Sequence, residues 1–177
     1  METTVSKEEI FQGHLLTLEV HQVELEDGSR SVRELVWHAY AVCVVVLTKD
    51  GNTVLVRQFR KAVEQSILEI PAGKIDPGED ALAAAVRELE EEVGYLSGDV
   101  RHVMDFYSSP GFCNEKLSLY LAENVTLGEQ RLDEGEFIEL VTLPWEEAVA
   151  LAMRGELGDA KTVAGIFAVD HLRRQNR

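Results

Sequence analysis

Hydrophobic and polar positions change their period several times along these 177 residues, and each change marks an expected element. Residues 1–8 are polar and read as a disordered start. Across residues 10–30 the run LLTLEVHQVEL alternates apolar and polar positions, and Glu26-Asp27-Gly28 signals a turn. Residues 32–37 then return as a second strand, giving an N-terminal hairpin or small sheet that needs outside support, because two strands alone are marginal. Residues 39–47, AYAVCVVVL, are continuously apolar and rich in β-branched side chains, as expected of a strand buried on both faces. A turn at Lys49-Asp50-Gly51-Asn52 leads to a strand over 53–59, and SILEIP predicts a short one over 66–71.

The period then switches to that of a helix. After the turn Asp76-Pro77-Gly78, the run to Tyr95 reads as one helix with Leu82, Ala85, Val86, Leu89 and Val93 facing a core. Strands follow over 99–107, 116–123 and 137–143. Helices are expected over 144–154, opened by an early proline, and over 159–174, with Val163, Ile166, Phe167 and Leu172 inward. Trp145 reads as core. This order predicts an α+β fold with a mixed sheet between helices.

The net charge of −15 argues against binding bulk nucleic acid, which requires basic patches. It also points to metal-assisted handling of any anionic substrate. Cys43 in an apolar run and Cys113 in a loop offer no disulfide framework, so a reduced, cytoplasmic setting is expected. No apolar run approaches 18 residues and no leader pattern opens the chain, so neither membrane insertion nor export is signalled.

One charge cluster stands out. Four of the five residues from Glu88 to Glu92 are glutamates, close to the expected C-terminus of their helix. There they repel one another and oppose the helix dipole. Acidic runs usually form solvated faces. Glu88 and Glu92, however, fall together on a flank beside the core, level with Ala81 and Ala85, while Glu91 sits further round. A divalent cation would turn this repulsion into attraction, since hard cations take several carboxylate oxygens at once.

The spacing around the cluster is more specific. Gly73 is followed after five residues by Glu79, then after seven by Arg87-Glu88-Leu89, then by Glu91-Glu92 and Gly94, with Tyr95 at the final apolar position. This resembles the box of the Nudix family, Mg²⁺-dependent pyrophosphohydrolases in which Mn²⁺ substitutes. Tyr95 departs softly from it, since the family more often has an aliphatic there. The resemblance implies an α/β/α sandwich with a mixed sheet over 39–177, preceded by an N-terminal antiparallel sheet over 1–38. It also implies a metal site of Glu88, Glu92, the Ala72 carbonyl and Glu91 or Glu136, with Arg87 as a structural partner of Glu79 or another box carboxylate.

Flanking segments narrow the likeness to members that hydrolyse ADP-ribose and related sugar nucleotides. RQFR places Arg60 as a phosphate or ribose contact, guanidinium being suited to bidentate binding of phosphate. SPGF places Pro110, Gly111 and Phe112 in a substrate loop, with Glu115 beside it as a contact to metal or ribose. In the acidic loop Asp133-Glu134-Gly135-Glu136, the resemblance makes Glu134 the general base and Glu136 an added metal ligand; Glu91 is the alternative base. It further implies a homodimer whose N-terminal sheet lends residues to the partner's site. Arg33 is a candidate substrate contact, and Trp37 or another N-terminal aromatic is a candidate to stack on the adenine. The expected reaction is conversion of ADP-ribose to AMP and ribose 5-phosphate.

Three rivals stand beside that reading. The substrate is another nucleoside diphosphate sugar; or the chain is a regulator that binds ADP-ribose without cleaving it; or the box is only a structural cation site. A regulator would be expected to lose box carboxylates, and all are present. A structural ion leaves Arg60, SPGF and the second acidic loop without a purpose.

Overall fold

In a computed structural model of the chain, residues 1–96, 99–132 and 135–175 are described. They divide into two compact units, one of residues 1–40 and 107–116, the other of 41–106 and 117–177.

The first unit is built on an antiparallel sheet of β1 (Thr3–Gln12), β2 (Leu16–Glu24) and β3 (Arg30–His38), in that spatial order. The expected disorder of residues 1–8 is corrected here: β1 pairs with β2 from Thr3 to Gln12. Every residue of β1 is exposed, so no apolar alternation announces it. Its support is the backbone ladder and polar cross-strand pairs. Lys7 donates to Glu19 Oε1 at 3.0 Å, and Thr4 Oγ1 lies 3.5 Å from His21 Nδ1; within β2, His21 Nε2 lies 2.7 Å from Glu19 Oε2. Glu19 and His21 are buried, although the alternation of β2 marks them as polar. Hydrogen bonds from His21, then Lys7, hold the Glu19 carboxyl down to about 2.

The second unit centres on a mixed seven-stranded sheet. Its strands are β4 (Ala41–Leu47), β5 (Asn52–Arg60), β6 (Gln65–Glu69) and β7 (Ala72–Lys74). Past helix α1 (Ala81–Glu88) and a two-residue strand β8 (Tyr95–Leu96) come β9 (Asp99–Tyr107) and β10 (Lys116–Glu123). Two-residue β11 (Thr126–Leu127) pairs with β8, and β12 (Glu139–Pro144) completes the large sheet. The main path runs β12-β5-β4-β10-β9, with β6 beside β5 and β7 beside β4. β4 pairs parallel with β10 and antiparallel with β5.

Every residue of β4 is buried, as its unbroken apolar run requires. Cys43 and Val45 face a core shared with Ile70, Leu119, Trp145 and Ile166, under helices α2 (Trp145–Met153) and α3 (Ala160–Gln175). Val42, Val44 and Val46 face the other way, onto Ala84, Ala85, Leu89 and Val93. Helices therefore cover both faces of the sheet, in the expected α/β/α order. No helix among the described residues is long and apolar enough to cross a membrane.

Three details depart from expectation. The run from Ala81 is not one uniform helix: α1 ends at Glu88 and a π-helical turn occupies Leu89–Val93, closed by Gly94 at φ 68°. Leu82 is 43% exposed; Ala84 takes the core position, because Asp80 caps the helix and sets its phase. Phe167 is 37% exposed, and Thr162, Gly165 and Val169 pack inward beside Ile166. Gly165 explains that phase: a Cβ there would come within 3.0–3.2 Å of Ile70, Val45 and Leu119.

Candidate metal and substrate site

The box folds so that its carboxylates press against β7. Ala72 lies in this strand, beyond the end of the short strand expected over 66–71, since residues 72–74 pair with Cys43, Val42 and Ala41. Ala72 N–H donates to Glu92 Oε2 at 2.9 Å, and Gln58 Nε2 donates to Glu92 Oε1 at 3.3 Å. Glu88 lies against Gly73 so closely that a Cβ there would sit 1.9 Å from Glu88 Oε1. Only glycine fits. The π turn belongs to this geometry, since such turns re-aim side chains within a helix and recur at functional sites.

Glu88 and Glu92 are 9% and 5% exposed. Burial, reinforced by the charges of Glu88 and Glu136, pushes the Glu92 carboxyl up to about 7, although the Ala72 N–H opposes this. Burial likewise raises Glu88 against the hydrogen bond from Arg87.

Arg87 ties the box together. Its Nε and Nη2 donate to Glu79 at 2.9 Å each, Nη2 also to the Lys74 carbonyl at 3.0 Å, and Nη1 to Glu88 at 2.8 Å and Glu91 at 3.0 Å. The expected structural role for Arg87 is what its contacts describe. Further along, Gln130 Nε2 donates to the Glu92 carbonyl at 2.6 Å and Arg131 N–H to the Glu91 carbonyl at 2.9 Å. These satisfy carbonyls that a helix C-terminus leaves bare.

Of the second acidic loop, Asp133 and Glu134 lie outside the described residues. Glu136 is exposed, and its charge raises both Glu88 and Glu92. It also lines a cavity of about 480 Å³ with Arg57, Phe59, Ser66, Phe137 and Glu139. Arg60 is gripped by Glu69, with Nε 2.5 Å from Oε1 and Nη2 2.8 Å from Oε2.

The remaining candidates belong to the first unit. Trp37, Pro110 and Phe112 line a cavity of about 140 Å³ with Val36 and Asn114. Trp37 donates its indole N–H to Glu19 Oε2 at 2.8 Å. The SPGF loop is pinned to β3 by Val36 N–H to the Phe112 carbonyl, 2.7 Å, and Asn114 N–H to the Val36 carbonyl, 3.2 Å. Gly111 stands open, with nothing within 4 Å of the place a Cβ would take. Glu115 lies 3.5 Å from His38 Nδ1, and Arg33 is bonded to Glu2 and Ser31.

A divalent cation suits the donor set. Two nearly buried carboxylates lie along β7, the charges of Glu88 and Glu136 both act on Glu92, and hard oxygen donors are what such an ion takes. Among the described residues no three His, Cys, Asp or Glu side chains are yet gathered about one point. Arg87 Nη1 bonds to both Glu88 and Glu91. Gln58, Gln130, Glu69 and Lys161 are the site neighbours that sequence reasoning missed. A lone glutamine or lysine far along the chain carries no spacing signal.

Known proteins resemble this chain in sequence and in fold. Residues 37–165 match the family described as NUDIX domain, and residues 2–36 match the nucleoside diphosphate sugar hydrolase N-terminal domain. An ADP-ribose pyrophosphatase of Bacillus subtilis is 43% identical over 173 residues, spanning 97% of this chain and 92% of the relative. A methanol dehydrogenase activator of Bacillus methanolicus is 42% identical over 176 residues, spanning 98% and 94%. The crystal structure of an ADP compounds hydrolase superposes with a TM-score of 0.89 at 26% identity, covering 99% of this chain and 95% of its own. With the box intact, Glu88 and Glu92 buried against β7 and the fold shared along nearly the whole length, the chain belongs to the Nudix family.

Proposed function

We propose that this protein hydrolyses the pyrophosphate bond of ADP-ribose, yielding AMP and ribose 5-phosphate, with Mg²⁺ as cofactor and Mn²⁺ as a substitute. The observation that carries the reading is the pair Glu88 and Glu92, buried against Ala72 and Gly73 in a complete box. The name borne by the Bacillus subtilis relative supports the choice of substrate.

Glu88, Glu92 and the Ala72 carbonyl hold the cation, joined by Glu91 or Glu136. When bound, the ion offsets the diphosphate charge and lowers the pKa of a coordinated water. Arg60 takes a phosphate oxygen or the ribose. A glutamate accepts the proton of the attacking water, Glu134 by preference and Glu91 otherwise. Water adds to one phosphorus, the P–O–P bridge breaks, and the bridging oxygen leaves with the other phosphate. Arg33, Trp37, Pro110, Gly111, Phe112 and Glu115 are assigned to the substrate by resemblance. The same grounds give a homodimer, tested by sizing in solution. A reducing, cytoplasmic setting suits Cys43 within β4 and Cys113 in the SPGF loop.

A second reading is supported by the N-terminal match, whose description names nucleoside diphosphate sugars as a class. The test is a panel of ADP-ribose, other ADP-sugars and GDP-sugars assayed with Mg²⁺, reading nucleoside monophosphate. Preference for ADP-ribose supports the first reading, and preference for another sugar nucleotide supports the second.

A further inference from the structure

In the second unit, a buried carboxylate outside the box is left unexplained by metal binding. Glu69, at the end of β6, is 1% exposed, yet its neighbours hold it ionised. Burial alone would raise its carboxyl, but the hydrogen bonds from Arg60 and the charge of Lys161 together hold it below its ordinary value. Burying a carboxylate is costly, and an apolar side chain would fill such a core position at less cost unless the charge serves a purpose.

Its partners indicate the purpose. On one side Glu69 receives Nε and Nη2 of Arg60 as a two-point grip, at 2.5 and 2.8 Å. On the other it is bonded by Lys161 Nζ, from the first turn of α3. Lys161 is 13% exposed and also lies 3.1 Å from Asp159. The next residue, Thr162, is fully buried; its hydroxyl accepts Ile70 N–H at 2.8 Å and its own N–H donates to Asp159 at 3.0 Å. The start of α3 therefore grips residues 69 and 70, which directly precede Pro71, Ala72 and Gly73.

The Arg60 side chain is 45% exposed, and its charge interacts with that of Glu92. A guanidinium has five N–H groups, and the grip on Glu69 takes two of them. Anchored on one edge, the planar fork keeps its remaining donors in a set direction. An arginine ordered in advance loses less conformational freedom when an anion arrives.

We propose that Glu69, backed by Lys161, is a positioning residue that aims Arg60 at the phosphate or ribose of the substrate. This rests on the assignment of Arg60 as a substrate contact made above. Glu69 touches neither substrate nor reacting atoms; it acts through Arg60. The first turn of α3, which reads as plain scaffold in the sequence, is thereby part of the substrate site.

The experiment is a double-mutant cycle on the full chain, with ADP-ribose as substrate at saturating Mg²⁺. Arg60→Ala, Glu69→Gln, the pair together and Lys161→Met are compared, folding being checked by circular dichroism. Glu69→Gln should raise KM about tenfold, with kcat within about threefold and the Mg²⁺ requirement unchanged, as expected for lost orientation of a binding group. In the Arg60→Ala background the same change should add less than about twofold, because the two residues act as one unit. Lys161→Met should raise KM in the same direction by a smaller factor. If Arg60→Ala is costly while Glu69→Gln leaves KM unchanged, or if the two effects multiply, the positioning role is overturned and the Arg60 assignment stands. If Arg60→Ala leaves KM unchanged, the Arg60 assignment fails and the positioning role with it. Should Glu69→Gln not fold, Glu69→Asp decides, since it keeps the charge but shortens the reach. A folded Asp variant with raised KM and unaltered Mg²⁺ requirement supports the role, and one with wild-type KM overturns it.

Discussion

Replacing Glu92 by glutamine should make the metal-free protein more stable while nearly abolishing its activity. Glu92 is 5% exposed, and burial, with the charges of Glu88 and Glu136, raises its carboxyl from 4.5 to about 7. A carboxyl raised on folding costs no stability below its unfolded pKa. The cost grows between 4.5 and about 7 and is fully present above that range. At ~1.4 kcal/mol per pKa unit, a carboxylate ionised at pH 8 costs the metal-free fold about 3 kcal/mol. Glutamine keeps the volume and still accepts the Ala72 N–H, but carries no charge. In EDTA at pH 8 the Glu92→Gln variant should therefore melt roughly 6–12 °C above the wild type, given the usual relation of stability to Tm for a chain of this size. That gap should shrink as the pH falls toward 4.5. Adding Mg²⁺ should raise the Tm of the wild type and leave the variant nearly unmoved. Thermal melts at several pH values, with and without Mg²⁺, read all of this. A variant no more stable than the wild type at pH 8 in EDTA would refute the picture of a strained, ion-seeking pair.

Three further substitutions probe the supports of the site. Gly73→Ala would drive a methyl into the Glu88 carboxylate, so activity should fall about 100-fold or more, read as AMP release, in a protein whose circular dichroism is unchanged. Arg87→Ala removes the hydrogen bonds that join Glu79, Glu88 and Glu91, and urea denaturation should show a loss of about 2–3 kcal/mol. Asp80→Ala strips the cap from Leu82 N–H and Ala83 N–H and should cost about 1 kcal/mol by the same measurement, with KM unchanged.

The sheet and its helices were legible where burial dictates the pattern. β4 shows an unbroken apolar run because both its faces are covered, and α2 shows an early proline because that end of a helix tolerates one. β1 left no such trace. Its ten exposed residues are held by backbone pairing and by contacts of Lys7 to Glu19 and Thr4 to His21, partners that themselves read as solvent-facing. Leu82 and Phe167 misled for a related reason: a cap or a glycine contact fixes how each helix sits, and apolar spacing alone leaves that open.

The box was legible because metal chemistry requires several carboxylates at set spacing on one element. The π turn at Leu89–Val93 was not, since a single widened turn barely alters the period. Gln58, Gln130 and Lys161 each reach the site as isolated side chains on separate elements, joined to it only by tertiary structure. Glu69 sat within SILEIP as the one charge in an apolar strand, and its meaning depends on an arginine nine residues before it and a lysine on the last helix.

The central claim is tested most directly by incubating the purified protein with ADP-ribose and following AMP and ribose 5-phosphate. AMP should appear with Mg²⁺ or Mn²⁺, be suppressed by EDTA, and be nearly absent for Glu92→Gln. Absence of cleavage of ADP-ribose and of every other nucleotide sugar, with either metal present, would contradict it.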